Sequence, residues 1–263
     1  MITHFFTHKD FLPESSMIPG TLYTPLQLIV ELAVLILIIC GAVWTANRKE
    51  MIKPVFTGLF VSLVVLEILI DIWDSMAGVQ NAFDLSVSLP LYPCSIFMFV
   101  LPFMIWGKGI WRQMAYGYTC TLGLIGAAIN FLYPASRLRD YSCISFPAFH
   151  TFYYHGAMLF TVLVLLLSGT YSLRNIKSRK DLFLASVPGL VFSVPANIVN
   201  YSSIPSDYMY FTGQHELAAV ILGNYCTVLT ATIIMYLFYI FLPLIMYLPI
   251  YGISCVKRRA VSE

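Results

Sequence analysis

TLYTPLQLIVELAVLILIICGAVW, residues Thr21 to Trp44, holds a single ionisable side chain, Glu31. A helix needs about 20 apolar residues to cross the hydrocarbon core of a bilayer, so this run predicts a transmembrane span. Further stretches of the same kind run from Pro54 to Trp73, Ser88 to Trp106, Trp111 to Leu132, Pro147 to Ser168, Leu182 to Val199 and Leu217 to Phe241. The predicted fold is therefore all-α, a polytopic seven-transmembrane-helix bundle over residues 21–251, with an outer tail over 1–20 and a basic cytoplasmic tail over 252–263. Pro243 and Pro249 are expected to end or kink the last helix, leaving Leu244 to Tyr251 as an interfacial segment. Trp44, Trp73, Trp106 and Trp111 fall at span ends, where an amphipathic ring prefers the headgroup level.

Composition points the same way. The chain is 59% hydrophobic and 11% charged, with mean hydropathy +0.80, whereas soluble domains carry roughly 25% charged residues. There is no internal repeat, low-complexity tract or linker. The net charge of +2 comes without a basic stripe, which argues against a nucleic-acid partner.

Orientation follows from the connecting segments, because short cytoplasmic loops retain Lys and Arg. Arg48, Lys49, Lys53, Lys108, Arg112, Arg174, Lys177, Arg179, Lys180, Lys257, Arg258 and Arg259 lie on one side, twelve of the fifteen basic residues. Lys9, Arg137 and Arg139 lie opposite. This predicts an outer amino terminus and an inner carboxyl terminus. Met1 to Gly20 has no basic segment leading into an apolar core and is expected to be an outer tail, not a cleaved signal.

The polar residues within the spans gather toward the outer face: Glu31, Glu67, Asp71, Cys94, Asn130, His155 and Asn197. Ionisable groups at membrane depth are costly and normally face the bundle interior, so a layer at one depth suggests one pocket. Cys94 follows two prolines in Leu89-Pro90-Leu91-Tyr92-Pro93-Cys94-Ser95, in or near a helical first turn. Unspent amide donors there would favour a thiolate or an oxyanion. His155, in Phe152-Tyr153-Tyr154-His155-Gly156, falls at a similar depth and is the candidate base. The plainer alternative is a histidine donating to a helix backbone. His150 ranks second, being nearer the surface. Glu67, Asp71 and Asp74 share one face of the second helix. Glu67 is deep enough to orient His155 as the third member of a triad, and the same stripe also suits a proton relay or cation site. Asp71 serves either scheme, and Asp74 is expected to be solvated.

Arg137 and Arg139, above this layer, are candidate anion contacts for a phospholipid headgroup, with a solvated loop paired to Asp140 as the alternative. Asn197, Asn200 and Asp207-Tyr208-Met209-Tyr210 either close the pocket or cap the sixth helix. Asn200-Tyr201-Ser202 fits a glycosylation sequon, but its place against the membrane disfavours that use. The six cysteines show no disulfide framework or zinc spacing; Cys40, Cys120 and Cys226 read as small hydrophobes. His4 and His8 have an i, i+4 spacing without a third ligand, so no metal is assigned. No P-loop, HExxH, GxSxG or dinucleotide fingerprint occurs, and no cofactor is expected. Gly123, Gly126 and Ala127 suit close helix packing.

Thr21-Leu22-Tyr23-Thr24-Pro25-Leu26, Glu67 with Trp73, the Leu89 to Ser95 motif and Phe152 to Gly156 together resemble the YwaF-like family of bacterial integral membrane proteins, over nearly the whole chain. Asn197, Asn200 and Asp207-Tyr208-Met209-Tyr210 resemble that family's Asn-rich segment and its Asn-Tyr-Met-Phe-type motif. Asp207 stands where asparagine is expected, and Tyr92 where histidine is common. The resemblance implies a multi-pass protein of the bacterial plasma membrane. It extends distantly to eukaryotic polytopic acyltransferases that move fatty acyl chains between phospholipids, and by that similarity Cys94 and His155 would be the catalytic pair. Two function classes follow. One is a membrane acyltransferase or acyl hydrolase with Cys94, His155 and Glu67 as catalytic residues and Arg137, Arg139, Asp71, Asn197 and Asn200 around a lipid substrate. The other is a transporter or sensor that binds a proton or small polar ligand in the same cavity. An accessory subunit docking on another membrane protein is a third reading.

Overall fold

The computed structural model describes residues 5–7, 23–76, 88–133, 138, 141–172, 179–202, 206–213 and 227–262, without the side chains of 179–182 and 247–262. Among them every regular element is helical. In chain order these are α1 (Pro25–Ala46), α2 (Lys49–Met76), α3 (Ile96–Ile105) and α4 (Gly109–Tyr118). A π-helical turn (Thr119–Gly123) leads directly into α5 (Leu124–Leu132). Then come α6 (Phe146–Leu167), α7 (Arg179–Asn200), a 3-10 turn (Tyr208–Tyr210) and α8 (Val228–Ser262). Among the described residues six helical segments are long and apolar enough to cross a membrane: α1, α2, the joined segment Gly109–Leu132, α6, α7 from Phe183, and α8 as far as Met246.

Local chemistry sets the ends. Thr24 accepts the Gln27 amide with Pro25 next in line, and Ser145 accepts the Ala148 amide with Pro147 in the first turn. Both are N-caps followed by a residue whose missing N–H costs nothing there. The third apolar stretch, expected as a span from Ser88 to Trp106, is helical only over Ile96–Ile105, about 15 Å of rise. Pro90 and Pro93 supply no N–H and push the residue before each away from helical geometry, so 88–95 form turns. The last helix differs in the other direction. It runs unbroken through Pro243 and Pro249 to Ser262, so the expected interfacial segment Leu244 to Tyr251 is helical. Each proline deletes one intrahelical bond, and in apolar surroundings no water competes for the remaining carbonyls. The expected start of that span, 217–226, lies outside the described residues.

The chain divides into two compact units, Met1–Phe83 with Leu124–Ser168, and Asp84–Gly123 with Gly169–Glu263. In the first, α6 is the central helix and packs on α1, α2 and α5. A Cβ on Gly156 would lie 3.1 Å from the Ile38 side chain, and one on Gly41 3.4 Å from Phe160. Small residues thus let α1 and α6 approach. Phe131, Leu138, Cys143, Ala148 and Phe152 form one buried cluster with Val30 and Val34 of α1 against it. Leu66, Ile70, Trp73, Tyr141 and Phe146 form a second, covered by Phe5. The amino-terminal segment is docked there: Phe146 N–H donates to the Phe5 carbonyl at 2.9 Å and Trp73 Nε1–H to the Phe6 carbonyl at 2.7 Å. Trp73 is therefore buried, while Trp44, Trp106 and Trp111 are each about half exposed. The outward side of α1 and α2 is apolar, with Leu28, Ile29, Leu32, Leu37, Val61 and Ile68 exposed, as contact with lipid tails requires.

In the second unit α4 packs on α7 and α7 on α8. A Cβ on Gly117 would meet Ala185 Cβ at 3.1 Å. Ser186 Oγ–H donates to the Ile240 carbonyl at 3.3 Å. Thr121 Oγ1–H donates to the Gly117 carbonyl at 2.7 Å and Thr119 Oγ1–H to Met104 Sδ at 3.7 Å, which occupies the hydroxyls of the π-turn. Gly123, expected as a packing residue, lies in that turn.

Candidate functional site

In the first unit two polar pairs tie α2 to α6. Tyr153 and Ser62 hydroxyls lie 2.5 Å apart, with the Ser62 hydroxyl donating to the Leu59 carbonyl. His150 Nε2 is 3.1 Å from Glu67 Oε2, and the two side chains are 16% and 19% exposed. Glu67 is therefore spent on His150. The expected role of Glu67 in orienting His155 is corrected accordingly: Glu67, Ser62, Tyr153 and His150 share the α2–α6 face, and His155, five residues beyond His150, is rotated away from it by the 100° per residue of an α-helix. Asp74 is only 6% exposed, so the expectation of a solvated interfacial carboxylate is corrected too. Asp71 is half-buried and already has an interaction partner.

His155 is held by its own helix. Its Nδ1 is 2.9 Å from the Thr151 carbonyl, and a carbonyl only accepts, so the proton is on Nδ1 and the Nε2 lone pair is available in the neutral ring. The backbone contact first weighed as a structural alternative to catalysis thus also fixes the tautomer a general base needs.

Cys94 belongs to the second unit. It is a half-buried free thiol at the end of a braced turn. Tyr118 O–H donates to the Pro93 carbonyl at 2.6 Å, and Leu89 N–H donates to the Tyr208 hydroxyl at 2.9 Å. The Tyr92 ring lies 5.2 Å from that of Tyr208 and 5.9 Å from that of Tyr210. Tyr118, Tyr210 and Tyr239 are within electrostatic range of the thiol. Ser95 is the N-cap of α3, so Cys94 precedes the first turn. Three amides expected to be unspent there are occupied: Ile96, Phe97 and Met98 N–H donate to the carbonyls of Tyr92, Cys94 and Ser95. A tightened first turn satisfies its own donors, which removes them as thiolate or oxyanion partners.

Asn200 closes α7 onto the segment after it. Its Nδ2 donates to the Tyr208 carbonyl at 2.8 Å, and its Oδ1 accepts Tyr208 N–H at 2.8 Å and Ser206 Oγ–H at 3.0 Å. Thr212 N–H donates to Asp207 Oδ1 at 2.7 Å, and Tyr239 O–H to the Met209 carbonyl at 3.1 Å. This cage holds Met209 and Tyr210 at φ of 56° and 61°, a left-handed conformation costly for residues with a Cβ. Asn200 is thus a brace for the loop. Asn197, one turn earlier, donates to the Tyr236 hydroxyl at 2.7 Å and keeps a buried Oδ1 without a hydrogen bond.

The candidate anion contacts Arg137 and Arg139, with Asp140, lie outside the described residues, as do His4, His8 and Cys226. Among the described residues no three His, Cys, Asp or Glu side chains are grouped to hold a metal. Sequence reasoning overlooked Tyr118 and Tyr239, because a tyrosine in an apolar run carries the same signal whether its hydroxyl braces a loop or sits at the headgroups.

Residues 22–251 match the family model of the TMEM164 family. The chain belongs to the TMEM164 family. The match runs from just before α1 well into α8 and takes in Glu67, Asp71, Cys94, Arg137, Arg139, His155, Asn197 and Asn200, whereas the docked Phe5–Phe6 segment lies before it. No curated protein and no solved structure matches the chain. Six long apolar helices and this family place it among multi-span membrane proteins.

Proposed function

We propose that this TMEM164-family protein is a membrane acyltransferase or acyl hydrolase acting on phospholipid acyl chains, with Cys94 as nucleophile and His155 as base. The observation that carries the reading is the His155 tautomer: Nδ1–H is given to the Thr151 carbonyl, so Nε2 is the atom that accepts a proton. The likeness of the Leu89 to Ser95 and Phe152 to Gly156 motifs to YwaF-like proteins, and more distantly to phospholipid acyltransferases, supports the same pair. In the proposed cycle the Cys94 sulfur bonds to the ester carbonyl carbon as its proton passes to His155 Nε2. The ester C–O bond then breaks and the leaving oxygen takes that proton. The thioester is discharged by the hydroxyl of a lysolipid or by water, whose oxygen bonds to the carbonyl carbon as its proton passes to His155 Nε2; the C–S bond then breaks and the proton returns to the Cys94 sulfur. Arg137 and Arg139 hold the phosphate in this scheme. The chain crosses the membrane seven times, the partly non-helical stretch 88–106 included, with the amino terminus outside and the site toward the outer leaflet of a bacterial plasma membrane.

A phospholipid with a radiolabelled acyl chain should leave hydroxylamine-sensitive label on the purified protein. Cys94→Ser should abolish that label and His155→Ala should slow both its formation and its loss. Full activity in Cys94→Ser would refute the covalent route. A second reading, a transporter or sensor, draws on the Glu67–His150 pair, a carboxylate and an imidazole 3.1 Å apart on two apolar helices. Proton uptake dependent on Glu67, with no thioester under any condition, would select it.

A further inference from the structure

We propose that Asn130 holds the acyl carbonyl oxygen beside His155, which makes the seam between α5 and α6 the subsite for the reacting carbonyl; this rests on the acyl-transfer reading. Asn130 is 7% exposed and its Nδ2 is buried without a hydrogen-bond partner. A buried amide donor left unpaired is costly and uncommon, and one at membrane depth has no water to turn to. It is explained if a ligand supplies the acceptor.

The position is fixed by helix geometry within the first unit. The Phe131 ring lies 6.1 Å from that of Phe152, and both belong to the cluster that also contains Ala148. The C-terminal turn of α5 therefore packs on the N-terminal half of α6, and the two helices run in opposite directions. Asn130 is one residue back from Phe131 and His155 is one turn on from Phe152, so both depart from the aromatic pair in the same direction. The imidazole reaches back toward the Thr151 carbonyl, and along the helix axes Asn130 and His155 differ in level by only about two residues' rise, roughly 3 Å. The buried face of α5 is made of Ala127, Asn130 and Phe131. An unspent N–H donor and an unspent Nε2 lone pair thus flank one seam.

This pairing fits a carbonyl under attack. As the nucleophile bonds to the carbonyl carbon, the C=O π pair moves onto oxygen and is met by Asn130 Nδ2–H without proton transfer. The nucleophile's proton goes to Nε2. When the pair returns, the leaving oxygen departs with that proton.

The test measures transfer of the labelled acyl chain from phospholipid by wild type, Asn130→Asp and Asn130→Ala. Asp is nearly isosteric and lacks the N–H. Loss of a single oxyanion donor lowers kcat by about 10²–10³-fold, so both variants should fall by that factor with KM nearly unchanged and helicity intact. Rates within threefold of wild type in both would overturn the proposal. If wild type itself transfers no acyl group, the broader reading fails and the site is judged by binding. A ¹³C-carbonyl ketone analogue of the phospholipid should then show a lowered carbonyl stretch in wild type that is absent in Asn130→Asp. Identical spectra would refute the site.

Discussion

Asn200→Ala tests how the strained segment after α7 is held. The amide makes three hydrogen bonds to residues 206–208, two of them to the backbone of Tyr208. At about 1 kcal/mol net for each, their loss costs about 3 kcal/mol, before the penalty for leaving the Tyr208 N–H and C=O buried and unpaired. Met209 and Tyr210 hold left-handed backbone that costs on the order of 1–3 kcal/mol each, and this strain persists only while the cage opposes it. Opening of residues 206–213 should therefore become roughly a hundredfold more frequent, since each 1.4 kcal/mol is a factor of ten. Hydrogen–deuterium exchange with mass spectrometry on detergent-purified protein reads this directly at the amides of Tyr208, Tyr210 and Thr212. Asn197→Ala is the control, because Asn197 bonds Tyr236 on α8 and not the segment. Exchange within threefold of wild type in Asn200→Ala, or equal acceleration by both variants, would refute the reasoning.

Gly117→Val should lower Tm in detergent, with a cost of about 1–3 kcal/mol, because its Cβ would be 3.1 Å from Ala185 Cβ and 3.2 Å from its Cα. Gly58→Ala, which meets nothing within 4 Å, should be neutral or raise it. Trp73→Phe removes the 2.7 Å bond to the Phe6 carbonyl at about 1 kcal/mol, and limited proteolysis of the amino-terminal segment should quicken about fivefold. Cys143 lies between α5 and α6, and burial pushes its thiol up from the ordinary range. The folded state therefore favours the protonated form, and this contribution is present at neutral pH and fades as pH rises past the unfolded thiol's value of about 8.5. Alkylation of Cys143 should be slow at pH 7 in the folded protein, faster at alkaline pH, and immediate after denaturation. Rapid labelling at pH 7 in the fold would contradict its burial.

Cys94 and His155 illustrate how far candidate residues were legible. Their residue types and depth single them out from the sequence. The partner of each depends on which face of a helix meets which neighbour, and a shift of one residue turns a side chain by 100°. Glu67 consequently bonds His150, a residue ranked second as a base, while the orienting group of His155 is a backbone carbonyl. A main-chain acceptor leaves no mark in a sequence.

The sequence by itself determined the class of protein and the positions of the apolar runs, because these depend on hydropathy summed over about 20 residues. Where proline acts, the two prolines at 90 and 93 break helix while those at 243 and 249 do not, and identical residues cannot announce that difference. Only the tertiary structure decided it, together with the burial of Trp73 and Asp74, the caging of Tyr208 by Asn200 and the unpaired Asn130 amide. Each of these turns on what stands opposite a residue from a helix or segment distant in the chain, and the free energy of a polar group in an apolar setting is set by that partner rather than by the residue's own identity.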